Sequence, residues 1–397
     1  MNPGTRLLTT TAGDAAASTR QPPLRQFGSA VLKVLPAWLV ARAVVAVTLV
    51  VAHLSVAHLR PGNSAAWLRV HQGLLGWDAG WYQSIAAHGY AASGQQSLRF
   101  FPAFPLAGRV VGWIPGVGPG TGVIIVANAC GLAAMAVLWI LVERDLGDRA
   151  LARRSVWLLA LASPAFTLVM AYAEGALLLC TTVTLLAIRT GRWWWAALAG
   201  LVAGAVRPVG LLLIVPVVIE AIRTGRTERS ARSAGGLIAR SAAVLAPVVG
   251  TGAYLAWVSH RFGDAFLPFR LQDQPGHRGV ITSPLSSMWH DLVAASHGHH
   301  LGSALHIPWV ILCLALLVVA FRRLPLSYAA FAAAVLVVSV ASSNLDSFER
   351  YALSGFPLVI AASTLTSRRG VEPVVLGVAG LGLAGYSLLA FLGIFVP

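Results

Sequence analysis

Apolar residues in this chain come in long unbroken blocks separated by short polar linkers. The strongest lie at roughly 34–57, 119–142, 155–171, 174–189, 193–206, 208–222, 237–258, 306–321, 325–342, 351–366 and 373–395. Such blocks read as membrane-spanning helices, because about 20 helical residues cross the hydrocarbon core with every backbone polar group internally bonded. The ten-residue alternation of a membrane strand does not occur. The pattern predicts an all-α polytopic membrane protein, a transmembrane helical bundle with about eleven spans. Several middle blocks are too short for a full crossing, and are expected to be short or broken helices inside the bundle. Pro208 after Arg207 marks one break, since proline suits the start of a helix.

The linkers carry the orientation. With the N-terminus in the cytoplasm, the inner segments, meaning the even-numbered linkers and the span ends beside them, hold Arg144, Arg149, Arg153, Arg154, Arg189, Arg192, Arg223, Arg226, Arg229, Arg232, Arg240, Arg322, Arg323, Arg368 and Arg369. Adding Arg6, Arg20, Arg25 and Lys33 places 19 of the 29 basic residues inside, in line with the positive-inside rule. Fusing 193–222 into one span would move Arg322, Arg323, Arg368 and Arg369 outside, which argues for the break at Arg207-Pro208. Residues 1–33 then read as a disordered cytoplasmic lead, and 34–397 as one transmembrane domain with large outer loops at 58–118 and 259–305. The first block has no small-residue cleavage site after it and reads as an anchor. A multi-pass protein of a bacterial plasma membrane is the expectation.

Composition narrows the function classes. A mean hydropathy of +0.74 and only 11% charged residues do not suit a soluble domain. The net charge of +15 would suit nucleic acid, but the arginines sit in span linkers without interleaved aromatics, so no nucleic-acid partner is expected. Cys130, Cys180 and Cys313 fall inside apolar blocks without ligand spacing and read as inert thiols. No P-loop, HExxH, GxSxG or D-x-D occurs, which leaves ATP-driven transport and zinc hydrolysis without a motif.

Candidate chemistry gathers on the predicted outer face. The first outer loop carries Trp77-Asp78-Ala79-Gly80-Trp81-Tyr82, His88-Gly89-Tyr90 and Phe100-Phe101-Pro102-Ala103-Phe104-Pro105, read as an interfacial helix and a tight turn at headgroup level. An acid among aromatics beside a span is costly unless paired, hydrated or used. Asp78 is therefore either a general base for a hydroxyl or a structural group, as a helix cap or paired with Arg69. Trp77, Trp81, Tyr82 and Tyr90 are interfacial anchors or stack on a sugar or isoprenoid. Glu174, just after Tyr172, has Arg207 as its obvious complement, and a buried structural ion pair is the bland alternative. Arg207 and Arg350 suit a phosphate, because guanidinium matches its oxygens and stays charged at low dielectric. Arg99 and Arg109 are weaker candidates, since interfacial arginines often snorkel to headgroups. His297, His299 and His300 lie in a Gly/Ser/Ala-rich stretch that reads as a flexible loop more than a metal site. Asp145 and Asp148 are flanked by Arg144 and Arg149 and read as surface ion pairs.

Four segments in order carry a resemblance. The Trp77–Tyr82 cluster with Phe100–Leu106, then Tyr172-Ala173-Glu174-Gly175, Arg207-Pro208-Val209-Gly210, and Ser347-Phe348-Glu349-Arg350-Tyr351 before Phe356-Pro357 resemble bacterial relatives of the second mannosyltransferase of GPI-anchor assembly, the PIG-V-like family. The resemblance spans about 75–357. It implies a GT-C type glycosyltransferase that moves mannose from a polyprenyl-phosphate donor to a lipid, glycan or protein hydroxyl outside the cytosol. It further implies Asp78 as the catalytic acidic residue, Arg207 and Arg350 at the donor phosphate, and Trp77, Trp81, Tyr82, Tyr172, Glu174 and Glu349 as supporting or substrate-binding residues. It makes no cofactor certain; a divalent cation could assist at the phosphate, but a lone Asp without a D-x-D partner does not establish one. A lone acid without a partnering general acid fits direct displacement with inversion. The rival class is a transporter or lipid flippase, which predicts two similar halves, and the motifs of the first half have no counterparts in the second.

Overall fold

The computed structural model describes residues 23–227, 233–274, 277–296 and 306–395, and among these the chain is built from helices without a strand. Helix α1 (Pro23–Leu59) leads into the first loop, which folds as α2 (Ser64–Gln72), α3 (Asp78–His88), α4 (Tyr90–Ser93) and α5 (Ala103–Gly112). Next come α6 (Gly118–Asp145), α7 (Arg149–Leu161) with a 3-10 turn at Ser163–Leu168, α8 (Glu174–Arg189) and α9 (Trp193–Val206). A second 3-10 turn at Pro208–Leu213 precedes α10 (Ile214–Thr227) and α11 (Ala234–Phe262). The second loop contributes α12 (Leu267–Gln272) and α13 (Pro284–Ser296). The bundle is completed by α14 (His306–Arg323), α15 (Leu326–Val340), α16 (Phe348–Leu353), α17 (Pro357–Leu365) and α18 (Val371–Phe391).

Each predicted apolar block is a helix or a split pair. Among the described residues six helical segments are long and apolar enough to cross a membrane: Leu24–Leu59, Gly118–Asp145, Pro208–Arg226, Ala234–Phe262, His306–Arg323 and Val371–Phe391. The others are shorter, as the block lengths predicted. Two expectations change. Helix α1 starts at Pro23, so 23–33 are helical; extending an existing helix is favourable, and Lys33 finds Glu143 at 3.9 Å and the Trp139 ring at 5.2 Å. The first loop is more than an interfacial helix and a turn, for its apolar residues Ile85 and Phe104 are fully buried in the bundle.

Breaks in the spans are closed by side chains, as a low-dielectric interior demands. Between α7 and α8, the Leu168 carbonyl accepts from Arg42 Nη2 at 2.9 Å and the Val169 carbonyl from Asn128 Nδ2 at 2.9 Å. Arg42 Nε also donates to Asn128 Oδ1 at 3.0 Å. The break leaves Tyr172 and Glu174 at the head of α8. Gly175 lets α8 begin directly against α6, because a Cβ there would stand 2.6 Å from the Ala127 carbonyl oxygen.

The arginine-bearing linkers share the end of the bundle away from Asp78. There Arg189 donates to both Asp145 oxygens at 2.8 and 2.9 Å and to Glu220 at 2.9 Å. Glu220 also accepts from Arg223 and Ser327, and Tyr328 donates to Asp145. Asp145 thus pairs with a distant arginine instead of Arg144. Asp148 caps α7 by accepting from the Leu151 amide at 2.8 Å.

Candidate active site

The cluster around Asp78 is built on an unusual backbone. Trp77 has φ 58° and ψ −131°, a region that side chains rarely enter. It is held there by Nε1 donating to the Ala390 carbonyl at 2.9 Å and by the Arg69 guanidinium 3.2 Å from its ring centre. Arg69 therefore supports Trp77, and it is not the partner of Asp78. The twist sets Asp78 as the first residue of α3, with its amide donating to the Tyr172 hydroxyl at 3.3 Å. Ser347, three residues before Arg350, is the other non-glycine residue with positive φ (66°) among the described residues. Both strained positions introduce a charged residue of the site.

Those charges form a chain across four segments. Arg350 Nη1 donates to Asp78 Oδ2 at 2.7 Å, and its Nε lies 3.3 Å from Glu174 Oε1. Arg207 Nη1 donates to the same Glu174 oxygen. Arg350 Nη2 also reaches the Tyr351 hydroxyl at 3.1 Å. Arg207 owes its place to the helix break: it is extended (φ −158°, ψ 151°) between α9 and the 3-10 turn. The Glu174 side chain is 3% exposed, that of Arg350 5% and that of Asp78 33%. Asp78 is therefore the carboxylate of the set within reach of a substrate.

A cavity of about 760 Å³ opens onto this chain. Asp78, Arg99, Arg207, Arg278, Arg350 and Tyr351 contribute polar lining; Phe100, Phe101, Leu211, Leu212, Phe266, Phe269 and Ile281 contribute apolar lining. Such a cavity suits a ligand with an anionic head and an isoprenoid or acyl tail. The second loop takes a full part in it. Segment 277–280 pairs with 343–344 through Ser343 N to Val280 O at 3.0 Å and Asn344 N to Arg278 O at 3.1 Å.

Of the predicted residues, Asp78, Arg207 and Arg350 come together, with Trp77 and Tyr82 also on the cavity wall. Tyr82 packs edge-on against Phe100 and Phe104, with ring centres at 5.1 and 4.9 Å. Trp81 lies flat against Phe100 at 6.0 Å, off the cavity lining. Tyr172 is fully buried behind Asp78. Glu349 turns away: both its oxygens lie 2.8 Å from Nδ1 of buried His306, so it anchors α16. Tyr90 donates to the Phe100 carbonyl at 2.7 Å, and Arg109 to the Ala86 and Ile85 carbonyls at 2.6 and 2.8 Å, which makes it a cap for α3 and not a headgroup contact. His297, His299 and His300 lie outside the described residues. Sequence reasoning missed Arg278 on the lining and gave no role to His277 beside it; the loop that carries both has no motif, and Gly279, at φ 71°, was the one local sign of a constrained turn.

The donor set does not fit a divalent cation. Asp78 and Glu174 each face guanidinium, and among the described residues no three His, Cys, Asp or Glu side chains converge as metal ligands.

No family model and no curated protein sequence matches this chain. Two solved structures are similar in fold. The crystal structure of ArnT from Cupriavidus metallidurans bound to undecaprenyl phosphate superimposes with a TM-score of 0.50 at 18% identity, covering 88% of this chain and 76% of that one. The Archaeoglobus fulgidus oligosaccharyltransferase in complex with Zn and sulfate gives a TM-score of 0.39 at 11% identity, covering 87% and 52%. With its broken spans and its helical first loop, this chain shares the overall fold of the ArnT structure, the GT-C fold.

Proposed function

We propose that this chain is a glycosyltransferase that moves a sugar from a polyprenyl-phosphate donor to a hydroxyl of a lipid, glycan or protein, on the extracytoplasmic face. The observation that carries the reading is Asp78: a part-exposed carboxylate on a cavity with an apolar wall, held on one oxygen by Arg350. The GT-C fold supports it, as does the undecaprenyl phosphate bound to ArnT. The four ordered motifs favour mannose and the PIG-V-like group.

Asp78 Oδ2 is fixed by Arg350, while Oδ1 has no hydrogen bond among the described residues. In the reaction the acceptor oxygen bonds to the anomeric carbon while the bond from that carbon to the phosphate oxygen breaks. The electron pair leaves with the phosphate, the hydroxyl proton passes to Asp78 Oδ1, and the anomeric configuration inverts. Such a base contributes about 10²–10⁴-fold, and preorganised positive charge near the leaving group contributes the rest. Arg207 and Arg350 supply the charge nearest the base.

Purified full-length protein incubated with native membranes and radiolabelled polyprenyl-phosphate-mannose tests this reading. Wild type transfers label and Asp78→Asn does not; equal transfer by both removes Asp78 as the base. A reporter fused after residue 75 reads extracytoplasmic, and a cytoplasmic signal overturns the assigned face.

A further inference from the structure

Ion pairing in the cavity is uneven around the base. Four guanidiniums, of Arg99, Arg207, Arg278 and Arg350, line it. Asp78 and Glu174 pair with Arg350 and Arg207 alone. None of the described carboxylates forms an ion pair with Arg99 or Arg278. Of the other two acids on the lining, Asp273 is exposed at the rim. Asp346 accepts from Asn344 Nδ2 at 3.1 Å and lies 3.6 Å from His306.

Both free guanidiniums are held in place with donors to spare. Arg278 Nη2 donates to the Val338 and Ser339 carbonyls at 3.0 and 2.9 Å and to Ser342 Oγ at 3.3 Å. Its Nε and Nη1 have no hydrogen-bond partner among the described residues. Arg99 Nε donates to the Gln96 carbonyl at 3.2 Å, leaving both terminal nitrogens. Crowding is evident at Tyr351, where the guanidiniums of Arg278, Arg207 and Arg350 stand 4.4, 5.0 and 5.0 Å from one ring. Burial, helped by Arg207 and Arg350 against Tyr351, draws Arg278 below the usual arginine range. Like charges gathered in a half-dry cavity are stable together only when an anion joins them.

We infer that Arg99 and Arg278 are the phosphate clamp of the donor lipid, and that the clamp is matched to the phosphate monoester product more than to the phosphodiester donor. The inference rests on the glycosyltransferase reading. A polyprenyl-phosphate sugar carries one negative charge; cleavage leaves a monoester of about −1.5 to −2 at neutral pH. Two guanidiniums without carboxylate partners complement the second charge, which develops only as the sugar departs. Interactions stronger in the transition state than in the ground state are the ones that accelerate the step. The clamp also joins the two outer loops, because Arg99 belongs to the first and Arg278 to the second.

The test is binding of farnesyl phosphate, its methyl diester and farnesol to the purified full-length protein in nanodiscs of uncharged lipid. Wild type binds the monoester at least tenfold more tightly than the diester, and farnesol most weakly. Arg99→Gln and Arg278→Gln each weaken monoester binding about tenfold and narrow the monoester preference, whereas Arg278→Lys keeps most of it. Arg261→Gln, an exposed arginine off the cavity, binds as wild type. If Arg278→Gln fails to fold, Arg99→Gln carries the test. Wild-type affinity and preference in both Gln variants overturn the clamp and leave the glycosyltransferase reading standing. Wild-type protein that binds farnesyl phosphate no better than farnesol overturns that reading, and the clamp with it.

Discussion

The two ends of the bundle use the same residue types for different ends. Away from Asp78, Arg189 is held by both oxygens of Asp145 and by Glu220, and Glu220 in turn by Arg223 and Ser327. At the Asp78 end, Glu174 Oε2 and Arg350 Nε are buried without hydrogen bonds, and two further guanidiniums have no described carboxylate. Saturated networks rigidify, whereas a polar group left unpaired in a dry interior is costly and is kept only where something else completes it. One end clasps four helices together. The other is arranged around a charge that arrives with a ligand.

Substitutions can break or sharpen that contrast. The largest effect belongs to Asp78→Asn, which lowers label transfer by about 10³-fold while the melting temperature stays near wild type. A large fall in melting temperature would make Asp78 a structural group like Asp145. Next comes Glu174→Gln, which releases Arg207 and loosens the Arg350 contact. Displacing aligned groups lowers the rate by about 10²-fold, through kcat more than KM in transfer assays. Arg189→Leu acts the opposite way: it leaves Asp145 and Glu220 short of a partner and lowers the melting temperature by several degrees. Breaking a buried pair costs about 3–5 kcal/mol, less here because Arg189 is 19% exposed. Transfer per folded molecule is expected to hold, and its loss would erase the functional difference between the ends. The smallest effect is at Ser347. With φ 66° and ψ 14°, Ser347→Gly should be more stable than Ser347→Ala by about 1 kcal/mol, read from paired thermal melts.

Much of this was legible in the chain. Block lengths and breaker residues located the apolar helices among the described residues, because hydrophobic length is a local property that the bilayer reads directly. The Arg207-Pro208 break and the Glu174–Arg207 pair were also visible, for an acid and a base beside apolar runs have few partners. Adjacency misled elsewhere. Arg144 and Arg149 flank Asp145 and Asp148, yet Asp145 pairs with Arg189, since neighbours on a helix point apart. Glu349 and Arg350 stand side by side in one motif. On α16 they diverge by about 100°, so Arg350 meets Asp78 while Glu349 meets His306. The second outer loop read as flexible sequence without a motif, but its hydrogen bonds to 338–344 exist only after α15 and α16 are in place.

The sequence by itself determined that this is a multi-span helical membrane protein with an acid on its first loop, because burial in lipid is encoded residue by residue. Only the tertiary structure decided which arginines are neutralised and which are left to meet a ligand. Charge balance depends on distances between segments hundreds of residues apart, such as the 2.7 Å from Asp78 to Arg350, and no local pattern contains them.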